Sequence, residues 1–384
     1  MRILHTADWH FGRTLEGRSR MAEQEAFVEE LVRMVNDQHI DLVLLAGDVY
    51  DSVNPPAAAE QLFYDALARL ADNGKRPVAV IAGNHDHPDR LAAAAPLAQK
   101  LGVRLAGLPE DRHEIIPIAR TGEQACLFSL PYPSESRLKE LLTDHVEEEL
   151  LRVAYSDRVK FIASQQAKHF SLHTVNLLMS HIYVLGGAES ESERPIQVGG
   201  AYTVDTEALA VGAQYVALGH LHRPQTIKSS SLMRYSGSPL AYSFSEAGQA
   251  KSVTVLDVGP GEVPKLEELF LSSGRPLVKW KAAGGLTEIH QWLADGKDAG
   301  AWIDLEVHMS EAMSTEQIHM LRKAHEGIVN IRPIYPEMEA AAASAVSMNS
   351  MPMDELFRRY YARQTGGAEP EAELVRLFME LLEA

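Results

Sequence analysis

Asp8-Trp9-His10, Gly47-Asp48, Gly83-Asn84-His85-Asp86, Ser180-His181 and Gly219-His220-Leu221-His222 gather oxygen and nitrogen donors of this chain into five short clusters. Carboxylate, imidazole and amide oxygen without thiolate suit Mn2+, iron or Zn2+ in a working site rather than a structural zinc knuckle. Asp8, His10, Asp48, Asn84, His181, His220 and His222 make seven groups, more than one ion needs and about right for two ions sharing a bridging carboxylate. Two metals roughly 3.5–4 Å apart are the standard means of splitting phosphate esters, because together they polarise the phosphoryl oxygens, acidify a water and steady the leaving oxygen. Asp8 and His10 lie two apart, so an extended segment would point both the same way, and His220 and His222 repeat that spacing. Gly47 permits a tight turn directly before Asp48, and Asn84 offers a neutral carbonyl oxygen that limits the negative charge facing a phosphate. One Asp-x-His or Gly-Asn-His triplet would be weak, since most histidines are surface or capping residues. His5, His39, His87, His113, His169 and His173 are read in that way, as structural or solvated.

Each cluster follows a short apolar run: Arg2–Ala7, Asp41–Ala46, Pro77–Ala82, Val175–Met179 and Gln214–Leu218. Length and β-branched content make these buried strands, and layered α/β folds collect ligands at the carboxyl ends of their strands. Between the first three runs lie a helical pattern from Arg20 to His39 and another opened by Pro55-Pro56 and closed by Asn73-Gly74. This βαβαβ rhythm predicts a parallel sheet with helices on its faces. Shorter strands follow from Val103 to Pro131, then an acidic helix from Leu138 to Lys160, then more strands to about residue 270, which a second stacked sheet would absorb. The fold class is therefore α/β, or α+β over the whole chain. It comprises a two-sheet β-sandwich flanked by helices over residues 1–274, and a small α+β capping domain over 275–335 without a metal-like cluster. Residues 336–352, rich in Ala, Ser and Met, read as a linker, and 353–384 as C-terminal helices split at Gln364–Gly367.

Composition excludes little. A net charge of −17 argues against indiscriminate nucleic-acid binding, but bound divalent ions supply local positive charge where a phosphate would sit. No apolar run approaches the ~20 residues needed to span a bilayer, no signal-peptide region precedes the first strand, and Cys126 is the single cysteine. A cytoplasmic protein with no membrane partner is expected.

The clusters resemble, motif by motif, the signature of the calcineurin-like metallophosphoesterases: D-x-H, G-D, G-N-H-D/E, H and G-H-x-H. The resemblance implies that Asp8, His10, Asp48 and His222 hold one ion and that Asp48, Asn84, His181 and His220 hold the other, with Asp48 bridging. It places His85 toward the substrate, to stabilise the transition state or protonate the leaving oxygen, with Asp86 orienting His85 or one of the ligands. Met1–Gly12, Ala46–Ser52 with Pro55-Pro56, Tyr215–Gln225 and Arg234–Leu240 further resemble the SbcD family of bacterial nucleases. None of the metal ligands departs from the pattern, although Asp51 stands where some relatives outside the bacteria carry histidine.

That resemblance implies two Mn2+ ions, exonuclease action on duplex DNA ends and endonuclease action on hairpins and single strands. It implies work in DNA repair, recombination and replication with SbcC, a coiled-coil ATPase. It further implies a homodimer, a heterotetramer with the ATPase, and a nucleoid-associated location. Phe357, Tyr360, Tyr361, Leu377 and Phe378 are candidate contacts to the ATPase, against the alternative that these helices fold back on their own domain. Leu62, Phe63, Leu91 and Leu97 are candidates for dimer pairing or ordinary core, and Arg13, Arg18, Arg90 and Arg223 for DNA phosphate or ordinary surface. The rival activity is a stand-alone phosphodiesterase or phosphatase on small nucleotides, against which the capping module and C-terminal helices count. A catalytically silent scaffold is opposed by the intact ligand set and His85.

Overall fold

Short, almost wholly buried strands open the chain and set its layering. A computed structural model describes residues 1–109, 113–132, 148–194, 202–335, 353–364, 370 and 372–382. The strands are β1 (Arg2–Thr6), β2 (Thr14–Leu15), β3 (Arg18–Ser19), β4 (Leu42–Ala46), β5 (Val78–Ile81), β6 (Val103–Ala106), β7 (His113–Pro117), β8 (Gln124–Leu130), β9 (Val175–His181), β10 (Tyr215–Gly219), β11 (Gln225–Ile227), β12 (Leu232–Tyr235), β13 (Ser252–Asp257) and β14 (Lys265–Phe270). One six-stranded sheet runs β14-β13-β1-β4-β5-β6, the other β11-β12-β10-β9-β8-β7, and β2-β3 form a small hairpin. β1, β4, β5 and β6 are mutually parallel, as are β8, β9, β10 and β12, so the cluster-bearing strands all run toward their clusters in register.

Alternation along each strand decides which layer a side chain enters. From β1, β4 and β5, Leu4, Val43, Leu45, Val78 and Val80 face the helices Met21–Asp37 and Ala57–Ala71, which bury Phe27, Leu31 and Val35, and Phe63, Leu67 and Leu70. The opposite residues, Ile3, Leu42, Leu44, Ala79 and Ile81, face Leu127, Leu177, Met179, Tyr215 and Ala217 of the second sheet. The outer face of that sheet presents Phe128, Leu178, Val216 and Leu218 to Tyr155, Val159 and Ala163 of the helix Glu148–Ala167. The order is helix, sheet, sheet, helix, as predicted from the βαβαβ rhythm and the later strands. Phe63 and Leu91, offered as dimer contacts, are core residues at 0% and 2% exposure, whereas Leu97 is exposed. The first part of the acidic helix predicted from Leu138 lies outside the described residues.

Contacts divide the chain into two units, Met1–Val278 with Gly300–Trp302, and Lys279–Ala299 with Ile303–Ala384. The second is organised around β15 (Leu277–Ala282), β16 (Trp302–His308) and β17 (Ile328–Ile334), in that order, with helices Gly285–Ala294 and Thr315–Ala324. The later helix is closed at its start by a capping box between Ser314 and Gln317. At the C-terminus, helices Met353–Gln364 and Ala372–Leu382 pair with one another: Phe357 stacks on Phe378 at 4.2 Å, and Val375 is buried. Phe357 and Phe378 are thus engaged within the pair, whereas Tyr360, Leu374 and Leu377 are exposed. The predicted linker, 336–352, lies outside the described residues. Among those residues, no helix is long and apolar enough to cross a membrane.

Candidate metal centre

The carboxyl ends of β1, β4, β5, β9 and β10 come together where the two sheets meet, but not through extended backbone as the two-residue spacings suggested. Asp8 (φ 55°), His10 (φ 45°), Asp48 (φ 50°) and His220 (φ 108°) all take positive φ. Strained backbone of this kind costs on the order of 1–3 kcal/mol per residue and persists only where surroundings over-determine it. Here Asp8 N–H donates to Gly47 O (3.0 Å), His10 N–H to Asp48 O (3.0 Å), and Phe11 N–H to Val49 O (2.9 Å). His220 N–H donates to both oxygens of Asp8 (3.0 and 3.1 Å), so one sheet's loop is tied to the other's. Two glycines make the approach possible. A Cβ on Gly83 would stand 2.1 Å from Asp48 Oδ1, and one on Gly219 would stand 1.8 Å from Ala46 O.

All seven predicted ligands meet in this pocket, and Asp8, His10, Asp48, His181, His220 and His222 are buried there. His10 Nε2 lies 3.0 Å from His222 Nε2 and 3.6 Å from Asp48 Oδ2. His181 Nε2 lies 2.9 Å from Asn84 Oδ1 and 3.5 Å from Asp48 Oδ2, and His220 Nδ1 lies 3.3 Å from Asn84 Oδ1. Asp8, His10 and His222 form one cluster of potential ligands, and Asp8, Asp48 and His181 another. Because His181 Nδ1–H donates to Ala46 O (2.9 Å), its Nε2 is the edge that faces Asn84 and Asp48. Oxygen and nitrogen atoms of carboxylate, amide and imidazole therefore converge within about hydrogen-bonding distance of one another. A cation placed among them satisfies all, so the donor set fits divalent metal.

Electrostatics agree. Burial works against charge on Asp48, yet His181, His85 and His10 hold its carboxyl well below the usual range. Burial likewise opposes charge on His181, but Asp48, and then Asp8, raise it to about 9. Burial pushes Asp8 up and lowers both His10 and His220.

His85, nearly buried, lines the same pocket. Its backbone N–H donates to Asp48 Oδ1 (2.8 Å), its Nδ1–H to Asp51 O (2.7 Å), and its Nε2 stands 3.9 Å from Asp48 Oδ2. Asp51 also brings a carboxylate within 3.8 Å of His10 Nδ1. Asp86 does not engage the His85 ring in these contacts. Its carboxylate accepts N–H donors from Gly83 (2.8 Å), Val49 (3.1 Å) and Tyr50 (3.0 Å), clamping the loop after Asp48 to the loop before Asn84. Burial and the neighbouring Asp48 raise the Asp86 pKa to about 6 despite those donors. These contacts are with the backbone of the loops that carry Asp48 and Asn84.

Among the described residues, Arg13 and Arg90 have partners within the chain. Arg13 donates to Ser192 O (2.9 Å) and lies over Tyr242, and Arg90 pairs with Glu60 (2.9 Å). Arg18, on the β2-β3 hairpin, and Arg223 are exposed. Sequence reasoning missed Ser192, Glu193, Tyr242, Glu246 and Lys251. Tyr242 donates to Trp9 O and packs edge-on against the His10 and His222 rings. Lys251 Nζ donates to His222 O (3.0 Å) and pairs with Glu246. A readable trace existed only for Glu246, in the Ser-x-x-Glu capping box from Ser243.

A pocket of metal-grade donors at the carboxyl ends of two stacked, mostly parallel sheets defines a class. Residues 1–224 match the family model of calcineurin-like phosphoesterases, and the chain is a metal-dependent phosphodiesterase of that class. Residues 273–365 match a second model, the type 5 capsule protein repressor C-terminal domain. The chain is 53% identical over 382 residues to the SbcD subunit of the SbcCD nuclease from Bacillus subtilis (strain 168), covering 99% of this chain and 97% of that protein. Identity to the protein of the same name is 37% in Rhodobacter capsulatus, over 74% of this chain and 72% of that one. In Escherichia coli (strain K12) it is 25%, over 100% and 98%. The chain belongs to the SbcD family of SbcCD nuclease subunits.

Proposed function

We propose that this nuclease hydrolyses DNA phosphodiesters at a two-metal site, on duplex ends, hairpins and single strands, with Mn2+ as the working ion. The observation that carries the proposal is the meeting of seven donor groups from five strand ends in a chain of this family. In this reading Asp8, His10, Asp48 and His222 would hold one ion, and Asp48, Asn84, His181 and His220 the other, with Asp48 common to both sets. When bound, the ions supply Lewis acidity and a nucleophilic water at neutral pH. The rest is done by side chains. Asp48 keeps its negative charge because three imidazoles face it, and Asn84 contributes an oxygen without adding charge against an incoming phosphate. His85 has spent Nδ1–H on Asp51 O, so its Nε2 edge is left to meet the substrate phosphate or leaving oxygen. Asp86 holds the Asp48 and Asn84 loops at their working separation.

Its relatives are named as subunits of an SbcCD nuclease, and we propose that this chain works likewise in a complex with an SbcC-type coiled-coil ATPase, in DNA repair and recombination. We assign 1–274 to catalysis, 275–335 to capping, 336–352 to a linker and 353–384 to the ATPase contact, with a homodimer inside a heterotetramer. The exposed Tyr360 and Leu377 support the ATPase contact, and exposed Leu97 supports dimer pairing. The test is cleavage of a hairpin duplex with Mn2+, with and without the ATPase and ATP, beside a small chromogenic phosphodiester. Hairpin cleavage that needs Mn2+ and is stimulated by the ATPase is expected. Turnover of the small diester with intact hairpin under every condition would refute it in favour of a small-nucleotide phosphodiesterase.

A further inference from the structure

We infer that Ser192, Ser190 and Glu193 form a hydrogen-bond relay that fixes the tautomer and aim of His222, making them positioning residues for one metal ion. The inference rests on the reading of His222 as a ligand. Ser192 Oγ lies 2.6 Å from His222 Nδ1 and 2.8 Å from Ser190 Oγ, and Ser190 Oγ lies 2.6 Å from Glu193 Oε2. Taken singly, the first two contacts have no defined direction, since hydroxyls donate or accept and either imidazole nitrogen can hold the proton. The carboxylate at the end of the chain removes that freedom. Glu193 Oε2 only accepts, so the single Ser190 hydroxyl hydrogen is committed to it. Ser190 Oγ must then accept from Ser192 Oγ–H, and Ser192 Oγ must accept from His222 Nδ1–H. The reverse order would leave an oxygen lone pair facing the carboxylate.

The proton of neutral His222 is thereby held on Nδ1, and the Nε2 lone pair is turned to His10 and the ion. A second carboxylate agrees, because Glu246 Oε1 stands 3.8 Å from His222 Nδ1. The same loop also grips the backbone: His222 N–H donates to Glu193 Oε1 (2.8 Å) and Ser190 N–H to Glu193 Oε2 (2.7 Å). Arg13 clamps the loop from outside through Ser192 O. Ligating histidines usually donate their other N–H directly to a carboxylate or carbonyl, and loss of that partner typically costs about 10–100-fold in metal affinity or activity. Here two hydroxyls stand between imidazole and carboxylate.

The test measures Mn2+ binding by titration calorimetry on the full chain, and the His222 ring by nitrogen-15 NMR on Zn2+-loaded, histidine-labelled protein. Ser192→Ala is expected to weaken one of two ions by roughly 10–100-fold and to spare the other. Ser192→Thr, which keeps the hydroxyl, should restore affinity. Ser190→Ala, which never touches His222, should weaken the same ion and broaden or shift the Nδ1–H signal. His222→Gln separates the two levels of the argument. If it leaves both ions bound as in wild type, the ligand reading is wrong. If it loses one ion while Ser192→Ala and Ser190→Ala both bind within about twofold of wild type, only the relay is refuted. Failure of Ser192→Thr to rescue a weakened Ser192→Ala also overturns the relay.

Discussion

Gly219→Ala probes the contact on which the whole site depends, the approach of the second sheet's β10 to the end of β4. The new Cβ would stand 1.8 Å from Ala46 O and 2.8 Å from His181 Nδ1. A relaxed carbon–oxygen contact is about 3.3 Å, so the two strand ends must separate by roughly 1.5 Å. Neither partner is the free end of a flexible side chain, because Ala46 O is backbone and already accepts His181 Nδ1–H. Overpacking of this kind costs about 1–3 kcal/mol, and weakening the His181 bond adds about 0.5–1.5 kcal/mol. The expected total is about 2–4 kcal/mol, or a melting temperature lower by roughly 5–10 °C. Thermal unfolding in chelator isolates this loss from metal binding, and calorimetric titration with Mn2+ then reads the displaced His181. Gly300→Ala is the control, since nothing lies within 4 Å of its Cβ, and it should stay within about 0.5 kcal/mol of wild type. If Gly219→Ala melts like Gly300→Ala and binds Mn2+ like wild type, the close approach of the sheets is not what aims His181.

Three further outcomes follow from the same geometry. Asp48→Ala and His85→Gln should each reduce Mn2+-dependent DNA cleavage by at least about 10²-fold, with metal affinity falling in the first but not the second; undiminished cleavage in either would remove that residue from the mechanism. Metal binding at pH 7.5 should release at least one proton, because His181, raised to about 9 by Asp48, must give up its Nε2 proton to ligate. Calorimetry in buffers of different ionisation enthalpy reads this directly, and release of none would contradict the charge state derived for the metal-free pocket. His5 is fully buried against Tyr215 and lowered from 6.5 to about 3, by burial first and Arg234 second. The unfolded chain therefore binds a proton below pH 6.5 that the folded one refuses, and stability is lost as pH falls from 6.5 toward 3. Between pH 7.5 and 5.5 this amounts to roughly 1–2 kcal/mol, so His5→Gln should lose that much less than wild type in urea unfolding, and equal losses would exclude the effect.

The chemistry of the pocket was legible before any fold was known, because a strand's end places whatever residue stands there at the sheet's edge. Asp8, Asp48, Asn84, His181 and His220 each follow an apolar run; the runs imply buried strands, and the helical patterns between them and the strands that follow imply a parallel sheet and a second layer. Periodicity carries that much since it depends only on neighbours in sequence. It does not say what covers a face or a side chain. Phe63 and Leu91 fit a helix face equally well as core or as interface, and the packing of their helices against the sheet made them core. Phe357 and Phe378 read as outward contacts until they stacked on each other. Arg13 looked like any surface arginine, and a partner 179 positions away made it a clamp on the Ser192 loop.

Tertiary structure alone also decided how the donors are aimed. Spacing two apart implied an extended strand, yet Asp8 and His10 reach the pocket through positive φ, which tertiary hydrogen bonds to Gly47, Asp48 and His220 sustain. Residue type and order thus determined which atoms could bind metal. Proton position and orientation were left to contacts such as Ala46 with His181 and Ser192 with His222, separated by 135 and 30 positions. Hydrogen-bond direction is a property of a closed network, and a network closes only when distant segments have folded together.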